Sequence, residues 1–196
     1  LTPIIQLMYE SVEADDLIAY VSKHQKWKEY NKIIVSNDKD FLQLCNEDTI
    51  LYRPVKEEYC SRKTVLEQYK IHPNNFALAR AMAGDKSDNL SGIGGVGLET
   101  AAKRFPMLTS SCMVTVDDIC THSLEQTEQG SKLKVYSCAL DSRDKIQENY
   151  SLMQLYCPSI PVQDKQKIDN TFDNFNYQFN KTGLIKLMIE DGFGEI

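Results

Sequence analysis

Ala14, Leu17, Ile18 and Val21 recur at the i, i+3, i+4, i+7 spacing of a helix with one buried face, which predicts a helix over residues 12–24 with Glu13, Asp15 and Asp16 in its first turn. The β-branched run at 32–36 reads as a strand ending at the Asn37-Asp38 turn, and Phe41, Leu42 and Leu44 predict a helix from Asp38 or Lys39. Strand, acidic loop and helix in that order make a unit of an α/β sheet. A second strand is expected over 49–52, stopped by Pro54, then an extended piece near Tyr59 and Cys60 and a helix over 64–69.

From Pro73, suited to a first helical turn, the pattern is helical to Ala83, turns at Gly84, and is helical again over 98–105, before Pro106. A Ser/Thr-rich connection spans 107–115 and a polar break spans 126–131. Helices are predicted at 116–125, 132–156 with an interruption, 162–172 and 182–190. The Asn- and aromatic-rich stretch 171–181 reads as a packed loop. The chain thus divides into an α/β part (1–72), a helix–glycine turn–helix part (73–106) and a helical part (107–196).

With 196 residues and 42% hydrophobic content, the chain can bury one substantial core and a second small one. It has neither the 18 or more apolar residues of a membrane helix nor a signal-peptide pattern, and it reads as soluble, cytoplasmic and unattached to membranes. Its 6 cysteines form no CxxC pair and lie far in sequence from the 3 histidines, so zinc spacing is absent and the thiols read as reduced and mostly buried. The net charge of −6 argues at first sight against a nucleic-acid partner. Seven of the 28 acidic residues are clustered, however, and bound cations would reverse the local field.

Seven carboxylates fall in three short clusters: Glu13, Asp15 and Asp16; Asp38 and Asp40; Asp85 and Asp88. Each has an ordinary reading. Acids in a first turn complement the helix dipole, Asp38 can cap a helix with Asp40 in solvent, and Asp85-x-x-Asp88 can be a polar loop. Together they suggest hard oxygen donors for divalent cations, with the Asp38-x-Asp40 pair in the crevice beyond a strand and Asp85 and Asp88 on one face of a helical turn. Gly92-Ile93-Gly94-Gly95-Val96-Gly97 follows directly. With no apolar strand before it, this is no dinucleotide fingerprint; a glycine turn between helices instead lets backbone amides approach a phosphate.

The stretches Val12-Glu13-Ala14-Asp15-Asp16, Ser36-Asn37-Asp38-Lys39-Asp40-Phe41-Leu42-Gln43-Leu44 and 84–101 together resemble the structure-specific 5′ nuclease family. That family comprises flap endonucleases, bacteriophage 5′ to 3′ exonucleases of the RNase H type and the 5′ nuclease domain of bacterial DNA polymerase I. The resemblance implies a partial PIN-like α/β nuclease core without its N-terminal strands, a helix-three-turn-helix DNA-binding element and a helical C-terminal region. It implies two magnesium or manganese ions: Glu13, Asp15 and Asp16 serve the first, Asp38 and Asp40 the shared cluster, and Asp85 and Asp88 the second. The resemblance further implies that Arg80, Gly92, Ile93, Gly94, Gly95, Val96, Gly97 and Lys103 grip DNA, with K+ at the hairpin. The implied partner is flapped, nicked or RNA-primed duplex DNA, bound by a monomer in a bacterial or phage-infected cell. A single-strand-binding protein or sliding clamp is conceivable, though nothing in the sequence identifies one.

Relatives carry further acids and a basic arch upstream of the first motif, whereas Leu1 opens this sequence only a dozen residues before Glu13, which reads as a fragment. Gly94 and Glu99 stand where many relatives have lysine; Lys103 and Arg104 can partly substitute. Three readings follow: a metal-dependent 5′ nuclease, a non-catalytic duplex-binding module, and a single-strand ribonuclease of the wider PIN group. The glycine hairpin, suited to duplex backbone, argues against the third.

Overall fold

The computed structural model describes residues 4–176 and 178–193. Helix α1 (Ala14–Lys23) carries Asp15 and Asp16 in its first turn and Lys23 in its last, the charge order a helix dipole favours. Strands β1 (Lys32–Val35) and β2 (Thr49–Arg53) pair in parallel with Ile34 opposite Leu51, and β3 (Glu58–Cys60) joins antiparallel to β2. Ile34, Leu51 and Cys60 are buried, whereas the alternate residues Ile33, Val35 and Tyr59 are exposed.

Between β1 and β2 the predicted helix shrinks to a 3-10 turn, Asp40–Leu44. Asp38 Oδ1 takes the Asp40 N–H at 2.8 Å, and Cys45 leaves with extended φ and ψ of −65° and 123°. Helix α2 (Arg62–Tyr69) begins two residues earlier than its apolar pattern suggests, because Ser61 and Thr64 form a capping box. A Pro73–Asn75 turn leads into α3 (Phe76–Ala83). The buried Asn75 amide donates to the Leu108, Ser110 and Cys112 carbonyls and accepts from Val114 N, which fixes the 107–115 connection.

The helical turn expected at Asp85 to Asp88 is instead a hairpin of β4 (Gly84–Asp85) and β5 (Leu90–Ser91). Asp85 Oδ1 accepts the Ser87 N–H at 2.8 Å and Asn89 takes φ 56°, both of which stop a helix. Then follow α4 (Leu98–Arg104) and α5 (Val116–Glu128), which runs into the predicted break and ends before Gly130 at φ 87°. The interrupted 132–156 region is α6 (Lys134–Asp141) and α7 (Arg143–Met153), followed by α8 (Val162–Asp173) and α9 (Lys181–Glu190). The packed loop at 171–181 is corrected: α8 occupies its start and Phe179 is 56% exposed, while Tyr177 lies outside the described residues.

The chain forms two units, Ile18–Pro158 and Leu1–Leu17 with Ser159–Ile196. In the first, α3 is the central element: Phe76, Ala77, Leu78, Ala79, Ala81 and Met82 are all buried, in a core that also holds Leu42, Leu51, Ile71 and Phe105. In the second, Ile168 and Phe172 of α8 are buried, and no residue of α9 is. Of the cysteines only Cys45 and Cys60 are buried, fewer than expected, since Cys112 and Cys157 lie on exposed connections. Among the described residues no helix is long and apolar enough to cross a membrane.

Candidate active site

Asp40 opens the 3-10 turn that follows β1, and Asp85 stands in β4, at the end of α3. Their carboxylates converge on one side chain. Arg80, in the last turn of α3, donates from Nε to Asp40 Oδ1 at 2.9 Å and from Nη2 to the same oxygen at 2.8 Å. The same Nη2 donates to Asp85 Oδ2. The three side chains are only 14%, 17% and 12% exposed for Arg80, Asp40 and Asp85.

Burial pushes the Asp40 carboxyl up to about 6, with Asp38 and Asp85 adding to the rise and Arg80 opposing it. Asp85 moves the other way. The Ser87 hydroxyl and backbone N–H, followed by Arg80, hold its carboxyl below the usual carboxylate range despite its desolvation. The loop before Asp40 is pinned as well: Arg53 Nη2 donates to the Asn37 carbonyl at 3.2 Å, and the Asn37 side chain accepts from Val55 N at 3.0 Å.

Beyond Asp85 the hairpin is held from below and open above. Ile93 N donates to the Met82 carbonyl at 2.8 Å, and the Ile93 and Val96 side chains are buried. Gly84 (φ 77°) and Gly92 cross so closely that a Cβ on Gly92 would lie 2.3 Å from the Ala83 carbonyl. Gly94, Gly95 and Gly97 are exposed, with open space where a Cβ would stand, and Gly95 takes φ 75°. Two buried anchors thus present a side-chain-free stretch of backbone to solvent. The Lys145 ammonium of α7 donates to the Gly92 carbonyl at 3.3 Å, which adds a cation beside it.

Of the residues singled out from sequence, Asp40, Arg80 and Asp85 come together. Asp38 is exposed and its side chain accepts the Asp40 N–H in an Asx turn, while Lys39 holds the cap position, so neither the helix cap at Asp38 nor the solvated Asp40 holds. Asp88 is exposed in the Lys86–Asn89 turn. Glu13, Asp15 and Asp16 lie at the start of α1, in the other unit. Lys103, in the last turn of α4, is exposed. Arg80, expected to face DNA, pairs instead with two carboxylates.

Two oxygens that converge on one nitrogen suit a small hard cation. Magnesium commonly takes one or two protein carboxylates and keeps water elsewhere in its shell. Among the described residues, no three of His, Cys, Asp and Glu lie together closely enough to hold a metal.

Residues 2–70 match the family model of the 5′-3′ exonuclease N-terminal, resolvase-like domain. A 5′-3′ exonuclease of Aquifex aeolicus is 36% identical over 99 residues, 50% of this chain and 34% of that protein. A DNA polymerase I of Mycobacterium leprae is 29% identical over 188 residues, 92% of this chain and 20% of the polymerase. Over residues 2–70 the chain is therefore similar to the N-terminal domain of 5′-3′ exonucleases. It spans about a third or less of those two relatives. A zinc-bound T5 5′-exonuclease shares the fold with a TM-score of 0.71 at 20% identity, over 86% of this chain and 62% of the neighbour. A complex of bacteriophage T5 flap endonuclease with DNA and metal ions aligns with a TM-score of 0.64 at 20% identity, over 86% of this chain and 59% of the neighbour.

One positioning residue escaped the sequence reading altogether. Asn149 of α7, 4% exposed, donates from Nδ2 to the Ala81 carbonyl at 3.0 Å and to the Ser91 carbonyl at 3.1 Å. It ties the end of α3 to β5, on either side of Asp85. Gln43 does similar work beside Asp40, donating to the Met153 carbonyl at 3.0 Å and accepting from Leu155 N at 2.7 Å. Neither has a local sequence signal, since both partners are over 50 residues away.

Proposed function

We propose that the protein is a divalent-metal-dependent 5′ nuclease that hydrolyses phosphodiester bonds in flapped, nicked or RNA-primed duplex DNA during replication. The observation that carries this reading is the convergence of Asp40 and Asp85 on one cation at the foot of the open glycine hairpin. Asp40 and Asp85 would hold a magnesium or manganese ion, with Asp38 and Asp88 as further candidate ligands in the same unit, and Glu13, Asp15 and Asp16 are candidate ligands in the other unit. Such an ion, when bound, lowers the pKa of a water and stabilises charge on a phosphoryl group.

The rest falls to the chain itself. Ser87 holds the Asp85 carboxyl below the usual carboxylate range, which keeps it ionised further into acid. The backbone of Gly92 to Gly97 forms a helix-three-turn-helix grip between α3 and α4, where amides meet a phosphate without reading bases, and Gly92 carbonyl chemistry suits K+ there. Lys103 and Lys145 add charge beside that grip. The bound T5 relative named for flap endonuclease, DNA and metal ions supports this choice of partner.

The test is cleavage of labelled 5′-flap DNA by the chain with magnesium, with EDTA, and with Asp85→Asn. Product that requires magnesium is expected. Asp85→Asn should reduce it by more than the roughly 10–100-fold that loss of a mere outer partner brings, while binding to the same DNA persists. Full activity in Asp85→Asn would refute the assignment. Binding without any cleavage would favour a second reading, a duplex-binding module, which the absence of a three-ligand cluster among the described residues supports.

A further inference from the structure

We propose that Arg80 is a built-in counter-ion of the acidic pair, which a divalent cation must displace, so that metal binding releases the Arg80 guanidinium. The proposal rests on the metal-site reading given above. Its basis is the sharing of one atom: Nη2 serves Asp40 and Asp85 at once, so an oxygen of each carboxylate lies within hydrogen-bond reach of a single point. A compact cation bridging both oxygens would need that point. Guanidinium and metal ion are therefore mutually exclusive there.

The side chain is also free to leave. Among the described residues its hydrogen bonds go only to these two carboxylates, Nε and Nη2 to Asp40 and Nη2 to Asp85, and no backbone carbonyl holds the guanidinium. The main chain of Arg80 stays fixed, because its carbonyl accepts from Gly84 N at the end of α3 and the helix is buried on most sides. Motion is thus confined to a long, flexible side chain on a rigid mount. Without either cation, two carboxylates of this burial would face each other uncompensated, which a fold does not tolerate cheaply.

This arrangement makes two roles alternatives for one residue. While Arg80 neutralises Asp40 and Asp85 its charge is not available to a phosphate; release frees it. Cation loading would thereby add a positive side chain next to the hairpin at the moment the site becomes competent.

The test compares EDTA-stripped wild type, Arg80→Gln and Asp85→Asn by thermal unfolding with and without magnesium, and by Mn2+ binding followed by electron paramagnetic resonance. Arg80→Gln should unfold at lower temperature than wild type in EDTA, regain the wild-type midpoint in magnesium, and bind Mn2+ about tenfold more tightly, with Asp85→Asn abolishing that binding. Mn2+ binding to Arg80→Gln that is no tighter than to wild type would overturn the proposal while leaving the metal site standing. Absence of any Asp85-dependent Mn2+ binding would overturn both. Should Arg80→Gln fail to fold, the Nε–H proton of Arg80 in wild type serves instead, assigned with Arg80→Lys. Magnesium should convert it from slow to fast solvent exchange, and continued protection at saturating magnesium would sink the displacement idea.

Discussion

Between the ordinary carboxylate value of 3.8 and about 6, Asp40 keeps a proton in the folded protein that it has lost in the unfolded chain. Folding takes up that proton, so this group's contribution to stability is most favourable below 3.8 and declines as pH rises to about 6. Asp85, held below its usual range, has the opposite sign: its contribution is present above the ordinary carboxylate value and fades as acid protonates it. In urea denaturation over pH 3 to 7, the stability of wild type relative to Asp40→Asn should therefore fall as pH rises from about 4 to 6. Relative to Asp85→Asn it should fall toward low pH. A pH-independent difference for Asp40→Asn would contradict the burial argument. The motifs around Asp38-x-Asp40 and Asp85-x-x-Asp88 made the acids themselves legible. That Asp40 and Asp85 meet while Asp38 and Asp88 stay in solvent was not, because it depends on how a turn after β1 and the end of α3 face each other, 45 residues apart in a chain whose local patterns are silent on it.

The glycine hairpin shows how one element assigns different work to identical residues. At Gly92 an alanine Cβ would meet backbone at 2.3 Å, so Gly92→Ala must part the hairpin from α3, an overpacking cost of about 1–3 kcal/mol or more. At Gly94 there is open space, so Gly94→Ala should leave stability within about 0.5 kcal/mol and act only on DNA binding. Thermal melts with duplex-binding titrations on both variants check this, and a strongly destabilised Gly94→Ala would show the exposed face to be misjudged. The sequence pattern announces a tight, backbone-exposing turn but cannot say which glycines are packed and which are presented. Local chemistry explains the other shortfalls. Asp38 and Asp85 captured nearby N–H groups and turned a predicted helix and a predicted helical turn into a 3-10 turn and a β-hairpin, whereas α1, β1, β2 and α4 followed their apolar periodicities.

On the scale of the whole molecule, the helical part beyond residue 106 had no role legible in its sequence, yet α7 supplies Asn149 and Lys145 to the hairpin. Asn149→Ala leaves the Ala81 and Ser91 carbonyls without their partner in a buried place. A loss of about 1–3 kcal/mol is expected, read as a lower denaturation midpoint together with weaker duplex binding; unchanged stability would mean that α7 merely lies alongside. Such a contact across 58 and 68 residues could not be foreseen from composition or period.

It also sets an order of events while the chain is being made. Ala81 and Ser91 leave the ribosome well before Asn149, so α3 and the glycine turn must wait, with both carbonyls hydrated, until α7 emerges. The surface that would grip DNA is completed only once α7 has been made, although its own residues are translated before that helix.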